Sequence, residues 1–136
     1  MQKDQVYATT SEKSVDAFVE SLGEVARGNG FVIHNESTMD MAHSLGRHGA
    51  EVAKDFDLHM IQICKPEKAA KSLSANPERA ILMPKFIMVF SREGKIQIRF
   101  LSFSEENIRS VVDDDAFPAS LAETYRKIHE MIDEAR

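Results

Sequence analysis

Apolar residues recur every three or four positions in two long stretches of the chain, a pattern typical of helices that bury one face. The first stretch follows Ser14, a good N-cap, and ends at Gly28 and Gly30. The second covers residues 118–136, PASLAETYRKIHEMIDEAR. The positions predicted to point inward are Val15, Phe18, Val19, Leu22, Val25 and Ala26 in the first helix, and Leu121, Tyr125, Ile128 and Ile132 in the last.

Shorter apolar runs predict strands. Residues 4–9 form a weak candidate, and residues 31–35 form a second. The third, FDLHMIQIC at residues 56–64, is apolar over most of its length. Such a run favours a central strand that is covered on both faces.

Two further strands, KFIMVF and KIQIRFLSF, are joined by SREGK, in which Gly94 favours a tight turn. They are therefore predicted to form an antiparallel hairpin. Since side chains alternate between the two faces of a strand, the residues predicted to enter the core are Phe86, Met88 and Phe90 from the first strand and Ile96, Ile98 and Phe100 from the second.

Capping and proline signals predict short helices between the strands. Thr38 is a candidate N-cap for one of them, and Pro66 and Pro77 each suit a first helical turn, where the missing N–H is not needed. The order β-α-β-α-β-α-β-β-(α)-α predicts one α+β domain over residues 1–136, with a mixed or antiparallel sheet of about five strands and helices mainly on one face. In the helix after Thr38, the side chains predicted to point inward are those of Met39, Ala42 and Leu45.

Composition narrows the class of protein. Hydrophobic residues make up 43% of the 136 residues and charged residues 29%, with a formal net charge of −5 and no run of lysines or arginines. This balance argues against nucleic acid or an anionic membrane as a partner. The first residues are polar, and no stretch reaches 18 apolar residues, so we expect a cytoplasmic protein that does not enter a membrane. A single cysteine excludes an intramolecular disulfide.

The segments IQICKPEKAAKSL, NPERAILMPKFIMVF and EGKIQI, together with the first long helix, resemble the bacterial and archaeal family called domain of unknown function 302. The resemblance covers roughly residues 6–110. It implies a compact α+β fold, often a dimer, and no established reaction. Lys65 stands where the family often has asparagine, and Lys85 stands where some members carry a second cysteine, which puts a two-thiolate site in doubt. The matching residues are Cys64, Pro66, Ala70, Asn76, Pro77, Met83 and Pro84.

Cys64 is the first candidate for chemistry. It ends the third predicted strand just before the helix that begins at Pro66, and a helix N-terminus stabilises a thiolate. Lys65 is adjacent in sequence, and Lys85 is expected on the neighbouring strand, where its charge would act in the same direction. A free cysteine is more often an apolar packing residue. We therefore expect Cys64 to be partly buried. Its main role is expected to be packing at the strand-to-helix junction, and chemical reactivity is expected to be its secondary role.

A metal site is a second possibility. His59, Met60, Cys64, Met83 and Met88 are soft or borderline ligands that suit copper(I) or zinc. Strand alternation, however, directs His59 away from Met60 and Cys64, and the chain contains no established metal-binding spacing. The sequence therefore leaves the metal and the cofactor unknown. The three aspartates 113–115 are interpreted as a solvated loop in which Asp115, or a neighbour, caps the last helix.

Two hypotheses for the function remain. The first is a non-enzymatic module that binds a small ligand or a partner, with Cys64, Lys65, Lys85 and His59 as candidate site residues. The second is a thiol-dependent redox or metal-handling protein that uses Cys64. Whether the protein is an enzyme stays open. We also expect a homodimer, because Tyr125 and Met131 flank the apolar stripe of the last helix and one subunit is expected to leave them partly uncovered.

Overall fold

The computed structural model of the protein describes residues 3–136, so the first two residues of the predicted domain 1–136 lie outside it. Its centre is a five-stranded sheet with the strand order β1-β5-β4-β3-β2, in which every neighbouring pair is antiparallel. The predicted α+β class is confirmed, and the sheet is antiparallel rather than mixed. The strands are β1 Gln5–Ser11, β2 Val32–Ile33, β3 His59–Cys64, β4 Phe86–Arg92 and β5 Lys95–Ser102.

Residues 3–136 form five α-helices and one 3₁₀ helix, Pro77–Leu82; the last two α-helices follow the final strand. The two long helices occur where the apolar periodicity predicts them, and Ser14 caps the first by accepting from the N–H of Ala17. None of the helices in residues 3–136 is both long and apolar enough to cross a bilayer. The α-helices are α1 Val15–Gly28, α2 Met41–Gly46, α3 Pro66–Ala75, α4 Glu105–Val111 and α5 Phe117–Ala135.

The core lies between one face of the sheet and the paired helices α1 and α5. The hairpin supplies residues of β5 as predicted, but the prediction for β4 is wrong. Ile87 and Val89 are fully buried, whereas Phe86, Met88 and Phe90 lie on the opposite face and are half-buried. Both sets are apolar, so alternation alone does not tell which face is covered. The buried residues of β5 are Ile96, Ile98 and Phe100.

The face of the sheet opposite α1 and α5 is called the open face below. Met60 of β3 pairs with Met88 of β4 on it, and both are half-buried. The prediction that β3 is covered on both faces is therefore wrong. The prediction that β3 is not an edge strand is confirmed, because it pairs with β4 on one side and with β2 on the other.

The helix after Thr38 also differs from its prediction. Asp40, rather than Thr38, caps α2 by accepting from the N–H groups of Ala42 and His43. This helix of 6 residues has no buried residue, and Leu45 is 37% exposed. Only Met39, which precedes the helix, packs against the core.

Helix α5 is covered by its own subunit. Tyr125 and Met131 are both buried, so they cannot form the partly uncovered surface that was expected to support a dimer. The end of the helix is fastened to the first strand, because the hydroxyl of Tyr7 donates to Asp133 and the ammonium of Lys13 donates to the carbonyl of Ala135.

Asp114 joins three segments of the chain. Arg79 of the 3₁₀ helix forms a bidentate ion pair with it, at 2.7 Å (Nε to Oδ2) and 3.0 Å (Nη2 to Oδ1). Asn76 donates to the same carboxylate, and so do the N–H groups of Ala116 and Phe117 at the start of α5. Arg79 and then Asn76 hold the pKa of this carboxyl well below its usual range. Asp114, rather than Asp115, is thus the residue that anchors α5.

We expect Asp114→Asn to lower the melting temperature by several degrees at neutral pH, because the substitution removes the charge that pairs with a largely buried guanidinium. Asp115→Asn is the matched control, since Asp115 is exposed on the same loop, and it should leave the melting temperature nearly unchanged. Because the folded-state pKa of Asp114 is lowered, its stabilising effect is present above the ordinary aspartate pKa and is lost in acid. Equal effects of the two substitutions, measured by thermal unfolding, would contradict this assignment.

Candidate functional site

A cavity opens where β3 runs into α3, and the first turns of α5 form its far wall. Its empty space is about 410 Å³ including the open mouth. It therefore fits a small ligand group. The side of the lining that is apolar consists of Phe31, Ile63, Met83, Phe117 and Leu121, while Ser72, Ser120 and Thr124 add hydroxyl groups.

Three lysines line this cavity, and we call them the lysine cluster: Lys65, Lys68 and Lys85. Lys85 directly precedes β4, and its carbonyl accepts from the N–H of Ile63 at 3.0 Å, which places its side chain beside the end of β3. Its ammonium donates to the carbonyl of Met83 and lies 3.8 Å from that residue's sulfur. Burial lowers the pKa of Lys85 to about 8, with Cys64 acting in the opposite direction and Lys68 adding to the decrease.

Lys68 is held in place by α5. Its ammonium donates to the hydroxyl of Thr124 at 2.6 Å and to the carbonyl of Ser120 at 3.1 Å. Burial lowers the pKa of Lys68, the charge of Lys65 lowers it further, and Glu123 acts in the opposite direction. This lysine therefore presents a fixed positive charge on the wall opposite the strand.

Lys65 stands at the N-terminus of α3. Its ammonium lies 5.5 Å from the centroid of the Phe31 ring, a cation–π distance. As the N-cap residue it makes no side-chain capping bond, and Pro66 follows it at the first helical position. The turn at Gly30, where φ is +79°, lies close to the Lys65 side chain. A Cβ added at Gly30 would lie 3.4 Å from Cε of Lys65. The mouth of the cavity thus combines a cation with an uncapped helix start, and both favour an anion.

The charge around the cavity is one-sided. Within residues 3–136, no aspartate or glutamate lines it, and no carboxylate forms an ion pair with a member of the lysine cluster. The whole chain has a net charge of −5, so this concentration of positive charge is local. An arrangement of this kind can hold an anionic group and an apolar group side by side.

Cys64 is the last residue of β3 and lines the cavity as a half-buried free thiol. Of the four candidate site residues, the structure brings Cys64, Lys65 and Lys85 together. His59 begins the same strand, roughly 16 Å away along the chain, and its Nδ1 lies 2.9 Å from the carbonyl of Asp57. His59 does not line the cavity.

The proposed soft-metal ligands are not gathered at one point. Met83 lines the cavity beside Cys64, whereas Met60 and Met88 pair on the open face and His59 lies at the far end of β3. In the part of the chain that the structure describes, histidine, cysteine and acidic residues form no group of three or more able to hold a metal ion.

Sequence reasoning missed the α5 side of the site. Thr124 and Ser120 are more than 50 residues from Lys68, so only the packing of α5 brings them to it. Lys68 itself was within reach of sequence analysis, because it follows Lys65 by three positions on the predicted helix and therefore shares its face.

A second, wider groove runs between the end of β5 and α5, with an empty space of about 1310 Å³. It contains both signs of charge, and its Arg126 is already paired with Glu123 and Glu130. Its paired charges give no preference for a ligand of one sign. The smaller cavity is therefore the better candidate site, because no carboxylate of residues 3–136 lines it or forms an ion pair with its lysines.

Comparison with known proteins gives a family and a fold. The family model of "Domain of unknown function DUF302" matches residues 7–135. A crystal structure of an uncharacterized conserved DUF302 protein from Bacillus stearothermophilus superimposes with a TM-score of 0.76, at 18% sequence identity, and covers 96% of this chain and 98% of that one. No curated protein matches the chain.

The lowered pKa of Lys85 predicts a pH dependence of stability. The folded-state pKa is about 8 and the ordinary value is 10.5, so the unfolded chain binds more protons between these two values and stability rises with pH there. Below about pH 8 Lys85 is protonated in both the folded and the unfolded state, and its burial lowers the free energy of unfolding by at most roughly 3 kcal/mol.

Lys85→Met should therefore be more stable than the wild type at pH 7, and the difference should shrink as the pH rises from 8 to 10.5. Chemical denaturation at several pH values measures both curves. Lys71→Met, on the exposed side of α3, serves as the control and should follow the wild type at every pH. A gap between Lys85→Met and wild type that does not change with pH would show that Lys85 keeps an ordinary pKa.

Proposed function

The chain belongs to the family of domain of unknown function DUF302, and we propose that it is a small-ligand-binding protein whose lysine-lined cavity takes a small organic anion. The name of the family assigns no reaction, so the proposal rests on the cavity of this chain. The observation that carries it is the convergence of Lys65, Lys68 and Lys85 on one small space that no carboxylate of residues 3–136 lines.

The energetic argument concerns buried charge. Removing an ammonium from water is unfavourable unless an anion or several hydrogen bonds replace the water. Among residues 3–136, the hydrogen-bond contacts of the Lys85 ammonium are the carbonyl and the sulfur of Met83, and those of the Lys68 ammonium are the Ser120 carbonyl and the Thr124 hydroxyl. A carboxylate or phosphate between them would offset this cost in the bound state. The cavity would thereby gain more from an anion than from a neutral molecule.

The apolar part of the lining indicates the rest of the ligand. Phe31, Met83 and Phe117 border the same space as the lysines. A small molecule with an acidic group and a short hydrocarbon portion satisfies both kinds of wall. The ligand class that we propose is therefore a small carboxylic acid or phosphate ester.

A second candidate function uses the thiol. Cys64 lines the same cavity, and its interaction with Lys85 acts to raise the pKa of that lysine. A thiol among lysines is the environment in which cysteine reacts with anionic electrophiles and oxidants. This candidate ranks second because the other residues that face Cys64 include no general base of histidine or carboxylate type.

We also propose that two copies associate through the open face, rather than through α5. Val6 and Leu101 are cross-strand partners on that face and are 58% and 46% exposed. They lie alongside the half-buried Phe86, Met88 and Phe90. A second copy of the same sheet would cover this apolar surface symmetrically.

The ligand proposal predicts selectivity by charge. Small carboxylates, from acetate to phenylacetate, should bind and raise the melting temperature, and the matching neutral amides should not. Lys85→Gln and Lys68→Gln should each weaken binding at least about tenfold, which corresponds to about 1.4 kcal/mol. Titration calorimetry with the same carboxylate measures the loss.

Two further variants complete this experiment. Lys71→Gln removes an exposed lysine from the same helix and should bind as tightly as the wild type. Cys64→Ser should keep binding if the thiol only packs, and a loss of binding without loss of melting temperature would favour the thiol-dependent candidate. Equal affinity for acids and amides, or an equal effect of all lysine substitutions, would refute the anion site.

The association of two copies is tested separately. Sedimentation velocity at tens of micromolar is expected to show a dimer for the wild type and a monomer for Leu101→Glu, because the substitution places a charge in the proposed contact. Val111→Glu adds the same charge at an exposed apolar position of α4, which is 55% exposed, and should remain dimeric. A wild-type monomer would contradict the proposal, as would dissociation by both substitutions.

A further inference from the structure

We propose that Lys85 is a nucleophilic amine that forms a reversible imine with a small carbonyl compound carrying an acidic group, a 2-oxo acid being the chemical class that fits the cavity. The inference rests on the proposed function, because it takes the same cavity and the same anionic group. It adds a covalent bond and names the ligand class. The observation behind it is that the three lysines of the cluster are held in three different ways.

Lys68 and Lys65 are placed to bind rather than to react. The ammonium of Lys68 is tied to two oxygens of α5, and that of Lys65 lies over the ring of Phe31 at the mouth. Lys85 is more deeply buried than Lys68, and within residues 3–136 its nitrogen has hydrogen-bond contacts only with the carbonyl and the sulfur of Met83, two residues before it. It is thus the member of the cluster whose nitrogen can be directed at a ligand that the other two hold by its carboxylate.

The protonation state of Lys85 supports this role. An amine attacks a carbonyl only when its lone pair is free, and a lysine gains that state when it is buried and close to another cation. Both conditions hold here, since burial and Lys68 lower the pKa of Lys85 to about 8. At pH 7 about one Lys85 in ten is then neutral, compared with about one in several thousand for an ordinary lysine.

The reaction balances without an oxidant or reductant. The lone pair of the Lys85 nitrogen forms a bond to the carbonyl carbon, and the C=O π electrons move to the oxygen. A proton passes from the nitrogen to that oxygen through water and gives the carbinolamine. The hydroxyl group then takes a proton from a water molecule at the cavity mouth and leaves as water, while the nitrogen lone pair forms the C=N bond of a protonated imine. The N–H proton of this protonated imine passes to the hydroxide left at the mouth, which restores that water molecule. The net change is amine plus carbonyl to imine plus one water.

The experiment uses the full chain, pyruvate as the 2-oxo acid, and cyanoborohydride, which reduces the imine to a stable secondary amine. We expect the initial reaction to add one carboxyethyl group per chain, located on Lys85 by peptide mass spectrometry. Lys85→Arg keeps a positive charge and should show no such addition while melting near the wild-type temperature. Lys71→Arg should be modified on Lys85 at the wild-type rate.

A neutral ketone, acetone, tests the role of the acidic group. It should label Lys85 at least about tenfold more slowly than pyruvate, since it cannot use the charges of Lys68 and Lys65. Labelling spread over exposed lysines, or an unchanged rate in Lys85→Arg, would overturn the inference.

The outcomes also separate this inference from the function on which it rests. Carboxylates that bind by calorimetry, with no adduct from pyruvate, would refute the imine and leave the anion site standing. If neither carboxylates nor pyruvate bind, both proposals fail.

Discussion

The carboxylate of Asp114 is the point on which the candidate site depends. It accepts from Arg79, from Asn76 and from the first N–H groups of α5, and so connects the end of α3, the 3₁₀ helix and α5. Arg79 also lies 5.4 Å from the centroid of the Phe117 ring, which is itself part of the cavity wall. Because α5 supplies the hydroxyl and the carbonyl that hold Lys68, this ion pair connects the two sides of the cavity.

The cavity differs from the surface of α5 in how its charges are balanced. On α5, Arg126 forms ion pairs with Glu123 and Glu130. At the cavity, two lysines with lowered pKa face each other without an acid between them. Such an arrangement lowers the free energy of unfolding of the unliganded protein. Groups that destabilise the folded chain in this way are typical of binding and catalytic sites rather than of structural ones.

The sequence is informative where one signal is unambiguous. Ser14 and the apolar stripe after it locate α1, and the unbroken period of the last segment locates α5. In β4, by contrast, both alternating sets are apolar, so the choice between Ile87 and Phe86 as core residues depends on which face the helices cover. For the site, Cys64, Lys65 and Lys85 follow from the strand–helix junction and its neighbouring strand. Thr124 becomes part of the site only because α5, more than 50 residues later in the chain, packs beside Lys68.

The pairing of β1 has a consequence for the order in which the domain forms. Val6 pairs with Leu101, and Tyr7 bonds to Asp133, 126 residues along the chain. Such non-local contacts form slowly, because a long loop must close before they gain free energy. We therefore expect the hairpin of β4 and β5 to form before β1 pairs, which leaves one edge of β5 unpaired until β1 joins it. The strand that joins last, β1 (QVYATTS), is short and rich in hydroxyl side chains, a composition that limits its association with other chains before it pairs.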